Sequence, residues 1–276
     1  MKQTQTPLGI IAGSGALPKA LIETCRRQNR PVFVLALKGH ADSHLTDGVA
    51  GAFIRLGAIG KAARLLKKAG VKDIVFIGGV RRPSIAELFP DFKTFVMLCR
   101  VGFRLLGDDS LLKIILAEAD KQGFRVVGVD ALMPELLAPT GIYGSVSPTK
   151  EDLADIDRGV AVAKLLGRAD VGQAVIVQNG LVLSVEGIEG TAELIKRTAS
   201  LKRKGTGGVL VKVAKPQQDR RVDLPTIGPQ TVQAVYDAGF RGIAVESGSA
   251  LLVSQDEMIA LADRLGIFVM GVVCRS

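Results

Sequence analysis

The first 130 or so residues alternate short apolar runs, glycine turns and helical stretches, and this alternation is the tightest constraint on the fold. LGIIAG (8–13), PVFVLALKG (31–39), AFIRLG (52–57) and VKDIVFIGGV (71–80) are strand-length runs that end in glycine or contain it near their ends. Between them, ALPKALIETCRRQ (16–28) sets Leu17, Ala20, Leu21 and Cys25 on one helical face, with Pro18 tolerable in the first turn. AIGKAARLLKKAG (58–70) does the same with Ala62, Leu65, Leu66 and Ala69, and Gly70 stops the helix. The near-continuous apolar runs predict strands buried on both faces. A helical region from Ser84 to Gln122 precedes a further strand pattern, FRVVGVDAL (124–132). Strands alternating with helices predict an α/β chain whose N-terminal domain, residues 1–133, is a Rossmann-like parallel sheet that binds a nucleotide or phosphate.

The second half is built differently. PELLAPTGIYGSVSPT (134–149) is rich in proline and glycine and reads as a linker, and EDLADIDRGVAVAKLLG reads as a bridging helix, so 134–168 is expected to connect two domains. Beyond it, QAVIV and LVLSVEG flank Gln178-Asn179-Gly180, a strong hairpin signal. Helical and strand patterns then alternate to the C-terminus, which predicts a mixed α/β catalytic domain over 169–276.

Composition narrows the function classes. The 276 residues carry a net charge of +9, no tryptophan and two tyrosines. Such a chain attracts anions, but it lacks the aromatic platforms on which nucleic-acid bases stack, so no nucleic-acid partner is expected. Cys25, Cys99 and Cys274 are far apart and show no metal-ligand spacing, which suits a reducing cytoplasm. No signal peptide is expected, and the most lipid-like run, FVMLCRVGFRLLG (95–107), is too short to span a bilayer and contains Arg100 and Arg104. The apolar helical region 85–106 is either core or a surface for acyl chains and the membrane interface.

Several strand-end stretches suit an anionic ligand. AGSGALP (12–18) follows the first strand and opens the first helix, so Gly13, Ser14, Gly15 and Ala16 are candidate phosphate contacts. Pro18 replaces the third glycine of a dinucleotide fingerprint and LALKGH lacks the expected acid, which disfavours NAD. Gly57 in RLGAIGK and Gly79 and Arg81 in IGGVRRP end other strands of the same sheet. In the second half, Glu186 and Thr191 lie in VEGIEGTAE. Lys212, Lys215, Arg221 and Asp223 lie along LVKVAKPQQDRRVDLPTIG, and Glu246 closes GIAVE. Bases there would hold phosphate oxygens, and carboxylates would hold Mg²⁺ or orient water. The alternative for each is a solvated, salt-bridged loop. His40 and His44 are the only histidines, so any divalent-metal site is expected to use oxygen ligands. There is no P-loop and no nucleophile elbow.

Taken together and in order, LGIIAGSGALP, IGGVRRP, GDDSLL, VEGIEGT and KPQQDRRVDLPTIGPQT resemble the UDP-2,3-diacylglucosamine pyrophosphatases of lipid A biosynthesis that are unrelated in fold to calcineurin-like phosphoesterases. The resemblance spans nearly the whole chain. It implies Mg²⁺-dependent hydrolysis of UDP-2,3-diacylglucosamine to UMP and 2,3-diacylglucosamine 1-phosphate, with the lipid enclosed between two α/β domains. The family's critical aspartate, in D-x-P-x-x-G, falls on Asp223, which is expected to hold metal or the attacking water. Lys215 and Arg221 are then expected to neutralise charge on the phosphate oxygens. Ala192 stands where the family pattern has an acid after EGT, and this weakens a metal ligand there. A glycolipid nucleotide substrate is implied, with transient contact to the inner-membrane surface and a homo-oligomer also compatible. Competing readings are another nucleotide-sugar hydrolase or transferase, and a nucleotide-binding protein without turnover.

Overall fold

Five parallel strands carry the first unit: β1 (Leu8–Ala12), β2 (Val32–Leu37), β3 (Gly51–Ile54), β4 (Asp73–Ile77) and β5 (Arg125–Val126), in the spatial order β3-β2-β1-β4-β5. This is the order of a doubly wound sheet, with its switch point between β1 and β4. The computed structural model describes residues 5–80, 108–205 and 207–274, and of residues 108–111 the backbone alone. Helix α1 (Leu17–Arg27) follows β1 and buries Pro18, Leu21, Ile22 and Cys25. Helix α2 (Ile59–Lys68) buries Ala63 and Leu66, so its inner face is centred one residue away from the expected stripe. Leu66 packs so closely on Gly9 of β1 that an added Cβ there would lie 2.8 Å from its side chain. Helix α3 (Asp108–Lys121) realises the end of the expected helical region, while 84–107, including Cys99, Arg100 and Arg104, lie outside the described residues. The expected strand at 124–132 holds only over β5; Val129–Leu132 coils into a short helix, α4.

Chain contacts divide the molecule into Met1–Pro134 and Glu135–Ser276. The segment 134–168 is therefore not a free-standing linker with a bridging helix. Its β6 (Gly141–Tyr143) pairs antiparallel with β13 (Phe268–Val272), and its α5 (Lys150–Arg168) lies on the second unit's sheet. The apolar residues of 134–149 were too few to show a period, yet the Tyr143 hydroxyl is tied to the Pro139 carbonyl, and burial pushes its pKa up to about 12.

The second unit's sheet has the order β6-β13-β11-β9-β7-β8, with β7 (Ala174–Gln178), β8 (Leu181–Val185), β9 (Val209–Lys212) and β11 (Gly242–Glu246). Strands β9, β11 and β13 run parallel, and β7 runs against both β8 and β9. The β7–β8 hairpin turns at Asn179 and Gly180, both with positive φ, as the sequence predicts. The strand period of two sorts side chains to opposite faces. Val175, Val177, Val209, Val211 and Ala244 pack with Ile156 and Ala163 of α5. Ala174, Ile176, Leu210, Ile243 and Val245 pack with α6 (Gly190–Thr198), α7 (Pro229–Asp237) and α8 (Gln255–Leu265). A small parallel pair, β10 (Thr226–Ile227) with β12 (Leu251–Leu252), lies beside them.

Candidate active site

In the second unit, β8, β9 and β11 all point their carboxyl ends to one edge, where Glu186, Lys212 and Glu246 sit. Parity then separates them. Lys212 shares the alternation of Leu210 and faces α6 and α7. Glu246 shares that of Ala244 and faces α5. There both Glu246 oxygens accept from Lys164 Nζ (2.8 and 2.9 Å), and one also accepts from the Ala214 amide (2.8 Å). Glu246, expected as a metal ligand, sits on the α5 face, where these partners brace the β9–β11 edge.

Lys212 is buried, at 8% exposure. Its Nζ donates to the Thr226 carbonyl at 3.1 Å. Burial pulls its pKa down, against the fields of Glu186 and Asp223, which push it up. Glu186 is held rigidly: one oxygen accepts from the Thr191 hydroxyl (2.6 Å) and the other from the Gln173 amide (2.9 Å). The 186–191 loop is itself clamped by Arg197, which donates to Ser184, the Val185 carbonyl and Glu189.

The stretch 213–228 is no solvated loop. The Val213 amide donates to Gln173, and the Lys215 amide to the Gln218 side chain. Gln217 donates to the Gly167 carbonyl at the end of α5, and Arg220 to Gly248 and Ser249. The Leu251 amide closes on the Pro225 carbonyl at 2.7 Å. Asp223 lies in this bolted turn, its amide donating to Asp219 at 3.2 Å. Two expected phosphate ligands have carboxylate partners. Lys215 Nζ bonds Asp170 at 2.7 Å with its side chain 9% exposed, whereas Arg221, bidentate to Asp219, stays 44% exposed. Arg221 is thus the better placed of the two for a ligand's oxygens.

The first unit's glycine loops meet at the β1–β4 switch point and bond each other. Gly13 N donates to Ile77 O (2.9 Å), Ser14 N to Gly79 O (2.8 Å) and Gly79 N to Ser14 O (2.9 Å), and the Ser14 hydroxyl adds a bond to Gly79 O. A Cβ on Gly13 would lie 2.3 Å from Gly79 O. The glycines therefore serve this mutual approach, and the amides of Gly13, Ser14 and Gly79 are spent on it. Gly15 and Ala16, both exposed, stand at the start of α1. Gly57, with φ +90°, ends the turn after β3. Arg81 lies outside the described residues.

Among the described residues no three His, Cys, Asp or Glu side chains gather as a metal cluster. His44 bonds Asp47 in an exposed turn. Glu186 and Glu246 are both engaged by protein donors. Sequence reasoning missed Lys164, Asp170, Gln173 and Arg197. Lys164 had a signal: it interrupts the apolar stripe Ile156, Val160, Ala163 and Gly167 of α5. Asp170, at φ +53°, had none.

Family comparison covers nearly the whole chain. Residues 7–136 match the LpxI N-terminal domain and residues 139–270 the LpxI C-terminal domain. The chain is 42% identical over 272 residues to the UDP-2,3-diacylglucosamine pyrophosphatase LpxI of Caulobacter vibrioides, covering 96% of this chain and 97% of that protein. Among solved structures, the biotin carboxylase subunit of pyruvate carboxylase aligns over 70% of this chain and 40% of its own at 13% identity, with a TM-score of 0.24, too slight a likeness to bear on the fold.

Proposed function

The chain belongs to the LpxI family, and on that premise we propose that it hydrolyses the pyrophosphate of UDP-2,3-diacylglucosamine to UMP and 2,3-diacylglucosamine 1-phosphate in lipid A biosynthesis. The observation that carries the reading is the mounting of Asp223 in the fastened turn that follows β9, within the field of the buried ammonium of Lys212. A hydrolase of a pyrophosphate needs a water aligned with the bond to be broken and positive charge at the oxygens that gain electrons. Asp223 orients that water or holds the metal. Arg221, exposed at the rim of the same turn, neutralises phosphate charge. Thr191 and Glu186, bonded to each other after β8, lie at the same edge of the sheet. Bound Mg²⁺ would supply further charge neutralisation at the phosphoryl oxygens. In the first unit, Gly15 and Ala16 at the start of α1, and Gly57 after β3, are backbone positions suited to an anion. The diacylated substrate resides in a bilayer, so the reading includes transient contact with the inner-membrane surface, which the net charge of +9 favours. No helix among the described residues is long and apolar enough to cross a membrane.

The test is purified protein with UDP-2,3-diacylglucosamine, with Mg²⁺ or with excess EDTA, products read by mass spectrometry. UMP and the lipid 1-phosphate should form only with the metal. Full turnover in EDTA would remove the metal from the proposal, and equal turnover of non-acylated UDP-sugars would remove the lipid.

A further inference from the structure

We propose that Lys212 is a positioning residue: its ammonium, bonded to the Thr226 carbonyl, fastens the Asp223 turn to the end of β9. The inference rests on the functional reading above for the role of Asp223, but its geometry stands apart from it. The chain leaves β9 at Lys212 and returns at Thr226, and the Nζ–carbonyl bond of 3.1 Å ties those two points across 14 residues. Asp223 lies inside that closed loop, three residues before Thr226. Thr226 is in turn fixed to β12, through its register with Leu251 and the bond from the Leu251 amide to Pro225.

A lysine is an expensive choice for this position. Its strand neighbours Val209, Leu210 and Val211 are wholly buried aliphatics, and another aliphatic would fill the site without burying a charge. A buried ammonium persists only where acceptors and opposite charge compensate it, and here these are the Thr226 carbonyl, Glu186 and Asp223. Glu186 cannot follow a moving lysine, because Thr191 and Gln173 hold both its oxygens. The ammonium is therefore a fixed post to which the turn carrying Asp223 is tied through Thr226. The aim of Asp223 depends on it.

The experiment compares Lys212→Met, Lys212→Gln and Lys212→Arg in the full chain, by steady-state kinetics and hydrogen exchange. For a residue that acts by aiming another, we expect Lys212→Met to lower kcat by about 30-fold or more with KM within about threefold. Amide exchange in 222–228 should accelerate while that of β11 stays protected. Lys212→Gln keeps a donor for Thr226 but no charge, so it should keep the protection and lose kcat; it also serves if Lys212→Met melts below the assay temperature. Lys212→Arg should restore most of both. A KM raised about tenfold with kcat intact would make Lys212 a substrate contact and overturn the proposal, as would wild-type exchange of 222–228 in Lys212→Met. If the wild type does not hydrolyse the UDP-lipid at all, the functional reading fails, while the exchange data still decide the tether.

Discussion

The carboxyl edges of the two sheets are finished with different materials. In the first unit the loops after β1 and β4 are joined main chain to main chain, through the reciprocal bonds of Ser14 and Gly79. In the second, the loop after β9 is held by side chains: Lys212 on Thr226, Lys215 on Asp170, Gln217 on Gly167 and Arg220 on Gly248. A main-chain join is indifferent to side-chain chemistry but intolerant of any Cβ between the strands. A side-chain join tolerates backbone variation but fails when one charge is removed, because its partner is left buried. The first design gives a rigid rim with few chemical groups. The second concentrates ionisable groups around a single turn, as hydrolytic chemistry requires.

Four substitutions test this contrast. The largest effect belongs to Asp223→Ala. Turnover should fall by several orders of magnitude in a variant that still folds, since the turn is held by its other residues, with a modest fall in melting temperature because Lys212 loses one compensating charge. Turnover within about tenfold of wild type, roughly 1.4 kcal/mol of barrier, would deny Asp223 its role. Next comes Lys164→Met, which strands the Glu246 carboxylate at 12% exposure and should cost the second unit about 3 kcal/mol in chemical denaturation. Adding Glu246→Gln should recover much of that loss, and a strictly additive double variant would show that the pair contributes nothing. Gly78→Ala attacks the main-chain join: its φ is +90°, and the new Cβ would meet Ser14 O at 2.6 Å. A loss of about 2 kcal/mol confined to the first unit is expected from strain of this kind. An unchanged midpoint would mean the loops separate easily.

The smallest effect is acid-dependent. Asp73, at the other end of β4, accepts two bonds from Arg125 and one from Arg30. Arg125's bonds hold its carboxyl below the ordinary 3.8, outweighing the opposite push of burial. A carboxyl with a lowered folded pKa contributes stability that is present above its unfolded pKa and lost as pH falls through the folded one. The stability gap between wild type and Asp73→Asn should therefore narrow below about pH 4, and a gap constant down to pH 2 would contradict the assignment.

Much of this architecture follows from local pattern. The parallel sheet of the first unit was legible because each strand is a continuous apolar run closed by glycine. The β7–β8 hairpin was legible because Asn179 and Gly180 tolerate positive φ. Asp223 was singled out by resemblance and by its D-x-P-x-x-G setting, with nothing in periodicity to mark it. Segment 134–149 was misjudged as a linker because β6 is three residues long, below the length at which alternation can register.

The sequence by itself determined the first unit's strands as far as β4, the β7–β8 hairpin and the family to which the chain belongs, because periodicity, turn chemistry and motif order are local properties. Only the tertiary structure decided which charged groups meet. Glu186, Lys212 and Glu246 look equivalent as strand-end groups, yet strand parity sends Glu246 to Lys164 and Lys212 to the Asp223 turn. The glycines after β1 and β4 look like a phosphate cradle, yet the pairing of two loops 65 residues apart consumes the amides of Gly13, Ser14 and Gly79. Such partnerships depend on distances across the fold, and no single stretch of chain encodes them.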